Sequence, residues 1–235
     1  MTIHELYDCH LGHGELRRAL EMGVRRAVDI AGSCAAMLVL MPIAMFVTLA
    51  IWIEGGRPIL FSQFRLGQNG RPFRMYKFRK FRPDCDNGGC PLTMEDDDRL
   101  TGIGHILAAS KLDELPQLWN VLRGDMTLVG PRPESLALAD CFRNGFEKIH
   151  EHKPGLFGPC QVLFRNESKL YPVEVAAVEF YRQVLFPAKA EIDLAYYSRR
   201  TLVSDLGWIL RAAWVIVAGS RVEPRLCGQP DQTRK

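Results

Sequence analysis

The sequence predicts an α+β protein, mostly helical, with an N-terminal re-entrant helix-break-helix hairpin in a membrane and a small cytosolic domain that contains short strands. Three observations predict this class: a long uncharged apolar segment, two short strands around a glycine-bounded turn, and helical hydrophobic spacing in later segments. The average composition hides them, because 47% hydrophobic and 24% charged residues are ordinary for a folded protein. The surplus of 30 basic over 27 acidic residues is too small to predict nucleic-acid binding.

The apolar segment from Ile30 to Ile53 contains no charged residue. Its 24 residues would reach about 36 Å as a helix, which is more than the roughly 30 Å hydrocarbon core of a bilayer. The alternative is a buried core helix, but core helices are seldom so long and so apolar. We therefore predict a membrane segment.

Pro42 lies near the middle of this segment, where a proline removes a helix hydrogen bond and bends or breaks the helix. Basic residues flank the segment on both sides, and such residues prefer the cytoplasmic side of a membrane. A straight span would place one flank outside, whereas a helix broken at Pro42 would enter and leave by the same leaflet. The flanking basic residues are Arg17, Arg18, Arg25 and Arg26 before the segment, and Arg57, Arg65, Arg71, Arg74, Lys77, Arg79, Lys80 and Arg82 after it.

A β-hairpin is predicted directly after the membrane segment. Two short apolar runs, at 59–65 and 73–78, are separated by the turn sequence Gly-Gln-Asn-Gly. The polar stretch over 83–103 that follows predicts a loop. Further on, Thr127–Val129 predicts a short strand.

Helical spacing recurs in three later segments. Leu115, Leu118, Trp119 and Leu122 lie at the intervals of an amphipathic helix. Residues 173–197 predict a helix with a break near Pro187. The apolar residues 204–219 predict a helix that is too short to span a bilayer, and its tryptophans fit an interfacial helix as well as a packed core helix.

The seven cysteines are odd in number and irregularly spaced, which argues against a disulfide framework and for reduced thiols in a cytosol. Cys85 and Cys90 are close in sequence, but no second cysteine pair completes a zinc site. Residues 1–20 lack the apolar run of a cleavable signal peptide.

Asp113 and Glu114 are the candidate chemical groups. Pro116 follows them closely, and because proline is tolerated in the first turn of a helix, a helix should begin near Asp113. Local sequence leaves two roles open for the acids, namely capping of that helix and catalysis.

Basic residues near the acids favour a phosphate site. Lys77, Arg79, Lys111 and Arg132 can bind phosphate oxygens, and the two prolines that flank Arg132 stiffen its backbone. Acids together with bases also suit a phosphate bridged by Mg²⁺. A membrane segment beside such a site indicates that one substrate is a lipid.

The run KLDELPQLWNVLRGDMTLVGPRPE, from Lys111 to Glu134, closely resembles the signature of the bacterial sugar transferases, which are monotopic polyprenyl-phosphate phosphoglycosyl transferases. The resemblance extends over about residues 22–219. Its other parts are Arg25-Arg26-Ala-Val-Asp29, Gly55-Gly56-Arg-Pro58 with Phe61-Ser-Gln63 and Arg65-Leu-Gly67, Tyr76-Lys77-Phe-Arg79, His152-Lys153-Pro154-Gly155 with Gln161-Val162, Arg165-Asn166-Glu167, Asp193-Leu-Ala-Tyr196-Tyr197, and Asp205-Leu206.

The resemblance implies a reaction. The family transfers a phospho-sugar from a UDP-sugar to undecaprenyl phosphate and releases UMP, as the first membrane step of polysaccharide or glycoconjugate synthesis. By the match, Asp113 is the nucleophile that forms a covalent phosphosugar intermediate, and Glu114 is the neighbouring acid associated with Mg²⁺. The candidate phosphate-binding residues are Lys77, Arg79, Lys111, Arg132 and Arg165.

The resemblance also implies a location at the cytoplasmic face of a bacterial inner membrane. The expected partners are a UDP-sugar, polyprenyl phosphate and the membrane, with a second copy of the chain as a further candidate, and no nucleic acid. The expected domains are an N-terminal extension over 1–24, the re-entrant hairpin over 25–54, a catalytic domain over 55–222 and a C-terminal tail over 223–235.

Three positions depart from the family pattern. Ala108 stands where the family usually has an arginine, and we expect Lys111 to be the residue able to compensate. Met41 replaces the serine before the breaking proline, and Phe164 replaces a glycine. Ala108 supports an alternative function, in which a degenerate homologue acts as a membrane-bound assembly or regulatory partner.

Overall fold

The computed structural model describes residues 3–83, 85, 92–94, 97–172 and 174–218, with the side chains of 3–15, 17, 18 and 217 left aside. Cys90 and the tail expected over 223–235 lie outside these residues. The helices are α1 (Ile3–Gly55), α2 (Gly102–Ser110), α3 (Gln117–Arg123), α4 (Pro159–Leu163), α5 (Ala177–Phe180), α6 (Phe186–Tyr197) and α7 (Leu202–Ala218). The strands are β1 (Leu60–Leu66), β2 (Pro72–Phe78), β3 (Thr127–Val129) and β4 (Gly155–Phe157). The mostly helical fold with small sheets is confirmed.

Helix α1 is long and apolar enough over Ala19–Gly55 to cross a membrane. It continues through Pro42, so the helix break predicted there is not confirmed. The proline costs the helix one backbone hydrogen bond, while the turns on both sides and packing at both ends of the apolar segment maintain the helical path. The middle of the helix exposes large apolar side chains, among them Leu38 at 72% and Phe46 at 74%.

The first end of the apolar segment is fixed by polar contacts to the rest of the protein. The buried Oδ1 of Asp29 accepts hydrogen bonds from Thr127 Oγ1 at 2.9 Å and from the Leu128 amide at 2.8 Å, both on β3. One turn earlier, the Arg26 guanidinium donates to the carbonyls of Val121 and Leu122 at the end of α3, each at 2.6 Å.

The second end packs on the same folded unit. Val47 and Ile51 are buried against Phe78 of β2 and Leu107 of α2. The carboxylate of Glu54 accepts a 3.1 Å hydrogen bond from the Ile103 amide in the first turn of α2. Both ends of the apolar segment therefore contact one domain.

The predicted hairpin is confirmed. Strands β1 and β2 pair antiparallel, with Leu60 opposite Phe78 and Leu66 opposite Pro72. The turn between them uses left-handed backbone at Asn69 and Gly70, with φ of 56° and 70°, a conformation that these two residue types tolerate best.

Strands β3 and β4 form a second sheet, in which Thr127 pairs with Gly155 in parallel. A Cβ at Gly130 or Gly155 would collide with the backbone of the other segment, so this crossing requires two glycines. The strand predicted at Thr127–Val129 is confirmed.

The helix predicted over 173–197 is interrupted by a π-helical turn at Tyr181–Leu185. Pro187 lies in the first turn of α6. The break therefore precedes Pro187. Around it lies the larger apolar core, with Leu138, Phe142 and Phe186 among its buried members.

Candidate active site

Asp113 and Glu114 lie in a 3₁₀ turn, Leu112–Glu114, between α2 and α3. Lys111 ends α2 in the left-handed conformation, with φ of 64°, and redirects the chain into this turn. We expected the acids to lie in the first turn of the next helix. Instead α3 begins after Pro116, because the Glu114 and Leu115 amides bond three residues back in 3₁₀ fashion.

The turn faces a cavity of about 680 Å³. Both acids and all the predicted phosphate-binding residues line it, namely Asp113, Glu114, Lys77, Arg79, Lys111, Arg132 and Arg165. The structure thus brings together side chains from β2, from the α2–α3 connection, from the loop after β3 and from the loop after α4. Pro42 is not among the lining residues.

Glu114 is ion-paired inside this cavity. Its Oε1 accepts hydrogen bonds from Lys77 Nζ at 2.9 Å and from Arg132 Nη2 at 3.3 Å. Burial by itself would raise the pKa of Glu114, but the charges of Lys77, Arg132 and Lys111 outweigh it and hold the pKa well below its usual value. In return, the charge of Glu114 raises the pKa of Arg132. Glu114 is therefore an anion at every pH at which the protein is expected to work.

Asp113 has a different environment. Its side chain is buried, with a residue exposure of 2%, and its Oδ2 lies 3.8 Å from Lys80 Nζ. Its Oδ1 is buried and has no hydrogen-bond partner among the described residues. Buried carboxylate oxygens are normally hydrogen-bonded, so this oxygen retains lone pairs for a group that enters the cavity.

Arg79 also carries unused hydrogen-bonding capacity. Its Nη2 donates to the Gly56 carbonyl at 3.3 Å, beyond the end of α1. Its Nε and Nη1 are buried without a partner in the described part of the chain. Unsatisfied guanidinium donors on a cavity wall suit an anionic oxygen.

Lys111 and Arg165 complete the predicted set. Burial lowers the pKa of Lys111, although the nearby carboxylates of Glu114 and Asp113 oppose this effect. Arg165 donates to the Ala109 carbonyl at 2.9 Å, and burial lowers its pKa as well. Lys111 lines the same cavity as Ala108, the position at which an arginine was expected.

Lys80 was missed as a site residue, since it was counted among the basic residues after the membrane segment. Its Nζ donates to Thr93 Oγ1 at 3.2 Å, and burial lowers its pKa to about 8, although the charge of Asp113 opposes the shift. Strand β2 ends at Phe78, so the alternation of side chains between the two faces of the strand does not extend to Lys80. The run of basic residues at 77, 79 and 80 was the signal in the sequence.

A second charged cluster at the cavity was also missed. Lys189 of α6 lies 2.9 Å from Glu167 and 3.6 Å from Glu134, and the Tyr181 hydroxyl donates to Glu134 at 2.6 Å. Burial would lower the pKa of Lys189, but Glu167, Tyr181 and Glu134 outweigh it and raise that pKa well above its usual value. These residues are far apart in sequence, so no local pattern connects them.

The sequence of this chain matches a known family over residues 20–219, and that family is described as bacterial sugar transferase. The match covers most of the 235 residues. The chain belongs to the bacterial sugar transferase family. The resemblance inferred from the run between Lys111 and Glu134 is therefore confirmed, and with it the assignment to the transferases.

Several curated relatives are similar to this member of the family. A galactosyl transferase of Streptococcus agalactiae is 32% identical over 207 residues, which cover 83% of this chain and 42% of the relative. A UDP-glucose:undecaprenyl-phosphate glucose-1-phosphate transferase of Caulobacter vibrioides is 38% identical over 191 residues, covering 80% of this chain and 67% of the relative. An exopolysaccharide production protein of Rhizobium leguminosarum is 39% identical over 150 residues, covering 61% of this chain and 75% of the relative. The chain thus spans between about two fifths and three quarters of the length of these relatives.

Proposed function

We propose that this chain transfers a phospho-sugar from a UDP-sugar to polyprenyl (undecaprenyl) phosphate and releases UMP, through a covalent phosphosugar intermediate on Asp113. The observation that carries the proposal is the Oδ1 of Asp113, which has no partner among the described residues and lies in a cavity lined by cations. The names of the relatives support the substrate class, since one of them is an undecaprenyl-phosphate glucose-1-phosphate transferase.

The chemistry divides one transfer into two displacements. Asp113 Oδ1 bonds to the phosphorus that carries the sugar, and the bond from that phosphorus to the bridging oxygen breaks. The electron pair leaves with the bridging oxygen, which becomes a phosphate oxygen of UMP. An oxygen of the lipid phosphate then attacks the same phosphorus, and the carboxylate of Asp113 is restored. No proton has to move in either step.

The cations of the cavity supply the electrostatic stabilisation that this reaction needs. Charge that develops on the phosphate oxygens must be balanced, and preorganised donors do this effectively. Arg79 offers two nitrogens, Nε and Nη1, that have no partner in the described part of the chain, and Lys111 offers a further charge, while Lys77 and Arg132 are fixed by Glu114. The basic side chains are therefore positioned before the substrate binds.

We further propose Mg²⁺ as the cofactor, with Glu114 as its protein ligand. Mg²⁺ usually binds proteins through one or two carboxylates and completes its shell with water and substrate phosphates. The adjacent carboxylates fit this donor set, and within the described ranges no cluster of three or more His, Cys, Asp and Glu side chains offers a more complete one. Bound Mg²⁺ would neutralise charge on the diphosphate.

We propose that α1 enters and leaves the membrane from the cytoplasmic side, as a re-entrant element that bends at Pro42 in the bilayer. Two contacts support this topology: Asp29 bonds to β3 and Glu54 to α2, both parts of one domain. A helix that spans the bilayer would place these anchors on opposite sides of it, where a single domain could not contact both.

The topology can be tested with single cysteines introduced into a cysteine-free variant at Gly23 and Arg57, on either side of the apolar segment. In intact cells, a membrane-impermeant thiol reagent should label neither position, and in opened membranes it should label both. Labelling of one position in intact cells would overturn the re-entrant topology.

The function can be tested by UMP release from a panel of UDP-sugars, with the full chain in membranes or detergent and undecaprenyl phosphate added. Asp113→Asn should abolish both turnover and the covalent phosphosugar adduct, seen as a mass increase of the intact protein, while Asp140→Asn at an exposed carboxylate should retain both. A fully active Asp113→Asn variant would refute the nucleophile. The absence of UMP release from the unaltered chain would favour the alternative of a membrane-bound assembly or regulatory partner.

A further inference from the structure

We infer that Lys80 binds the phosphoryl group that is transferred, beside the nucleophile Asp113. This inference rests on the proposed function and adds a residue to it, because the sequence-derived set of phosphate-binding residues does not include Lys80. Three features carry it: the position of the Lys80 ammonium, its unused donors and the rigid attachment of its backbone.

The ammonium of Lys80 is the cation that faces the nucleophile. Its Nζ lies 3.8 Å from Asp113 Oδ2, and within the described residues no other ion pair to Asp113 is present. Lys77 and Arg132 instead pair with Glu114, and Arg165 donates to a backbone carbonyl. A phosphorus atom bonded to Asp113 would therefore bring its oxygens close to Lys80.

The ammonium of Lys80 has more N–H groups than it has acceptors among the described residues. A lysine ammonium carries three N–H groups, and across the described segments Thr93 Oγ1 accepts one of them at 3.2 Å. The 3.8 Å distance to Asp113 is that of an ion pair and exceeds the range of a hydrogen bond. Two N–H groups of this cavity-lining ammonium therefore have no acceptor among the residues that the structure describes and can donate to phosphate oxygens.

The backbone of Lys80 is held in place by contacts with the start of α2. Its carbonyl accepts a 3.0 Å hydrogen bond from the Thr101 amide, and a side chain at Gly104 would collide with the same carbonyl. The first turn of α2 therefore packs directly on Lys80. The aromatic ring of Phe81 lies 5.3 Å from the Nζ and supports the ammonium further. A cation with so little freedom loses little entropy when it binds phosphate.

The role of the ammonium changes along the reaction. In the free protein its charge is directed to the Asp113 carboxylate. Once Asp113 is bonded to phosphorus, that carboxylate charge is gone, and the ammonium can bind the phosphoryl oxygens instead. Interactions that strengthen as the reaction proceeds accelerate it, so Lys80 should affect turnover as well as binding.

The test compares Lys80→Met, Lys80→Arg and the double variant Lys80→Met/Ala108→Arg. Ala108 lies on α2 and lines the same cavity, so an arginine there supplies a cation from a different element. Lys148→Met, at an exposed lysine outside the cavity, is the matched control, and Ala108→Arg alone shows whether the arginine is tolerated. For each full-length protein, kcat/KM for UMP release and the dissociation constants of UDP and UMP are measured.

We expect Lys80→Met to lower kcat/KM by about 10- to 100-fold, the usual effect of losing a charge-assisted contact. The kcat/KM of Lys80→Arg should stay within about threefold of that of the unaltered chain. In the Lys80→Met background, Ala108→Arg should raise kcat/KM by about tenfold. UDP has a phosphate at the position of the transferred group and UMP does not. Lys80→Met should therefore weaken UDP binding and leave UMP binding unchanged, a difference that general misfolding would not produce.

Equal UDP affinity in the unaltered chain and in Lys80→Met would overturn the inference, as would a double variant no better than Lys80→Met. These failures are separable from failure of the proposed function. If the unaltered chain releases UMP and Lys80→Met does so at the same rate, the assignment of Lys80 fails and the proposed function stands. If the unaltered chain releases none, the proposed function fails, and the role of Lys80 fails with it.

Discussion

The Nζ of Lys77 donates a 2.9 Å hydrogen bond to Oε1 of Glu114, and this bond joins strand β2 to the turn that carries both acids. The pair is largely buried, with side-chain exposures of 12% and 13%. Its strength depends on the ionisation of Glu114, which the surrounding cations enforce. The hairpin and the acidic turn are therefore electrostatically coupled as well as packed together.

Glu114→Gln should disrupt this coupling. The amide cannot balance the charges of Lys77 and Arg132, so these partly buried cations lose their partner. We expect a fall in kcat for UMP release of about 10²- to 10³-fold, comparable with the loss of a preorganised electrostatic group in other enzymes. Glu191→Gln, at an exposed position on α6, is the control and should retain full activity. Near-normal turnover of Glu114→Gln would contradict a role for its charge.

The pH dependence of Glu114 has a definite sign. Its pKa in the folded protein lies below the usual value of about 4.3, so its ionised form contributes stability above that pH. This contribution is lost as the pH falls through the lowered pKa. Between pH 5 and 8 the difference in melting temperature between the unaltered protein and Glu114→Gln should be constant, and below about pH 4 it should shrink. A difference that changes between pH 6 and 8 would show that another group controls it.

The charged form of Lys80 should destabilise the folded protein, whereas the charged form of Glu114 stabilises it. Its pKa in the folded protein is lowered from 10.5 to about 8, chiefly by burial. The folded state then binds fewer protons than the unfolded state between these values, so stability rises with pH across that interval. Lys80→Met should be the more stable protein below pH 8, and its advantage should decline as the pH increases to about 10. Melting temperatures measured at several pH values check this, with Lys148→Met as the control that shows no such trend.

Local patterns in the sequence predicted those parts of the fold that neighbouring residues determine. The turn at Asn69 and Gly70 and the alternating runs beside it were sufficient for the hairpin. The spacing of Leu118 and Leu122 predicted α3, although the start of that helix moved past Pro116. The signature around Asp113 was long enough to predict the family as well.

Local patterns could not predict contacts between residues that are distant in sequence. Helix α1 continues through Pro42, and on the two sides of this proline Asp29 hydrogen-bonds to β3 and Glu54 to α2. The position of Lys80 depends on how α2 packs against its carbonyl. Neither relationship has a period or a motif in the sequence, since each joins segments that only the tertiary structure brings together.

Asn120 illustrates a contact of this kind and gives a prediction about stability. Its fully buried side chain accepts from the Tyr76 amide at 3.1 Å and donates to the Arg74 carbonyl at 2.7 Å, so it attaches α3 to β2. Asn120→Ala leaves the Tyr76 N–H and the Arg74 carbonyl without these partners, and should cost about 2–4 kcal/mol of unfolding free energy. Chemical denaturation of the solubilised protein measures this. Gln183→Ala removes an exposed side-chain hydrogen bond to Glu179 and should cost less than about 0.5 kcal/mol. Equal effects of the two substitutions would contradict the role of Asn120.

The two faces of α7 lead to a prediction about the membrane surface. Leu206, Leu210 and Trp214 lie on one face and are mostly exposed, with Trp214 at 70%. Trp208 lies on another face, where its ring packs against Tyr196. An exposed apolar face with a tryptophan is typical of helices that lie at a lipid interface, and we expect that location for α7.

Brominated lipids quench tryptophan fluorescence at short range and can compare the two faces directly. In variants that retain a single tryptophan, Trp214 should be quenched severalfold more strongly than Trp208 when the protein is reconstituted in brominated phospholipid. Because both rings belong to one helix, the comparison controls for protein orientation and lipid content. Equal quenching of the two rings would place α7 away from the interface, and its exposed leucines would then need a protein partner to cover them.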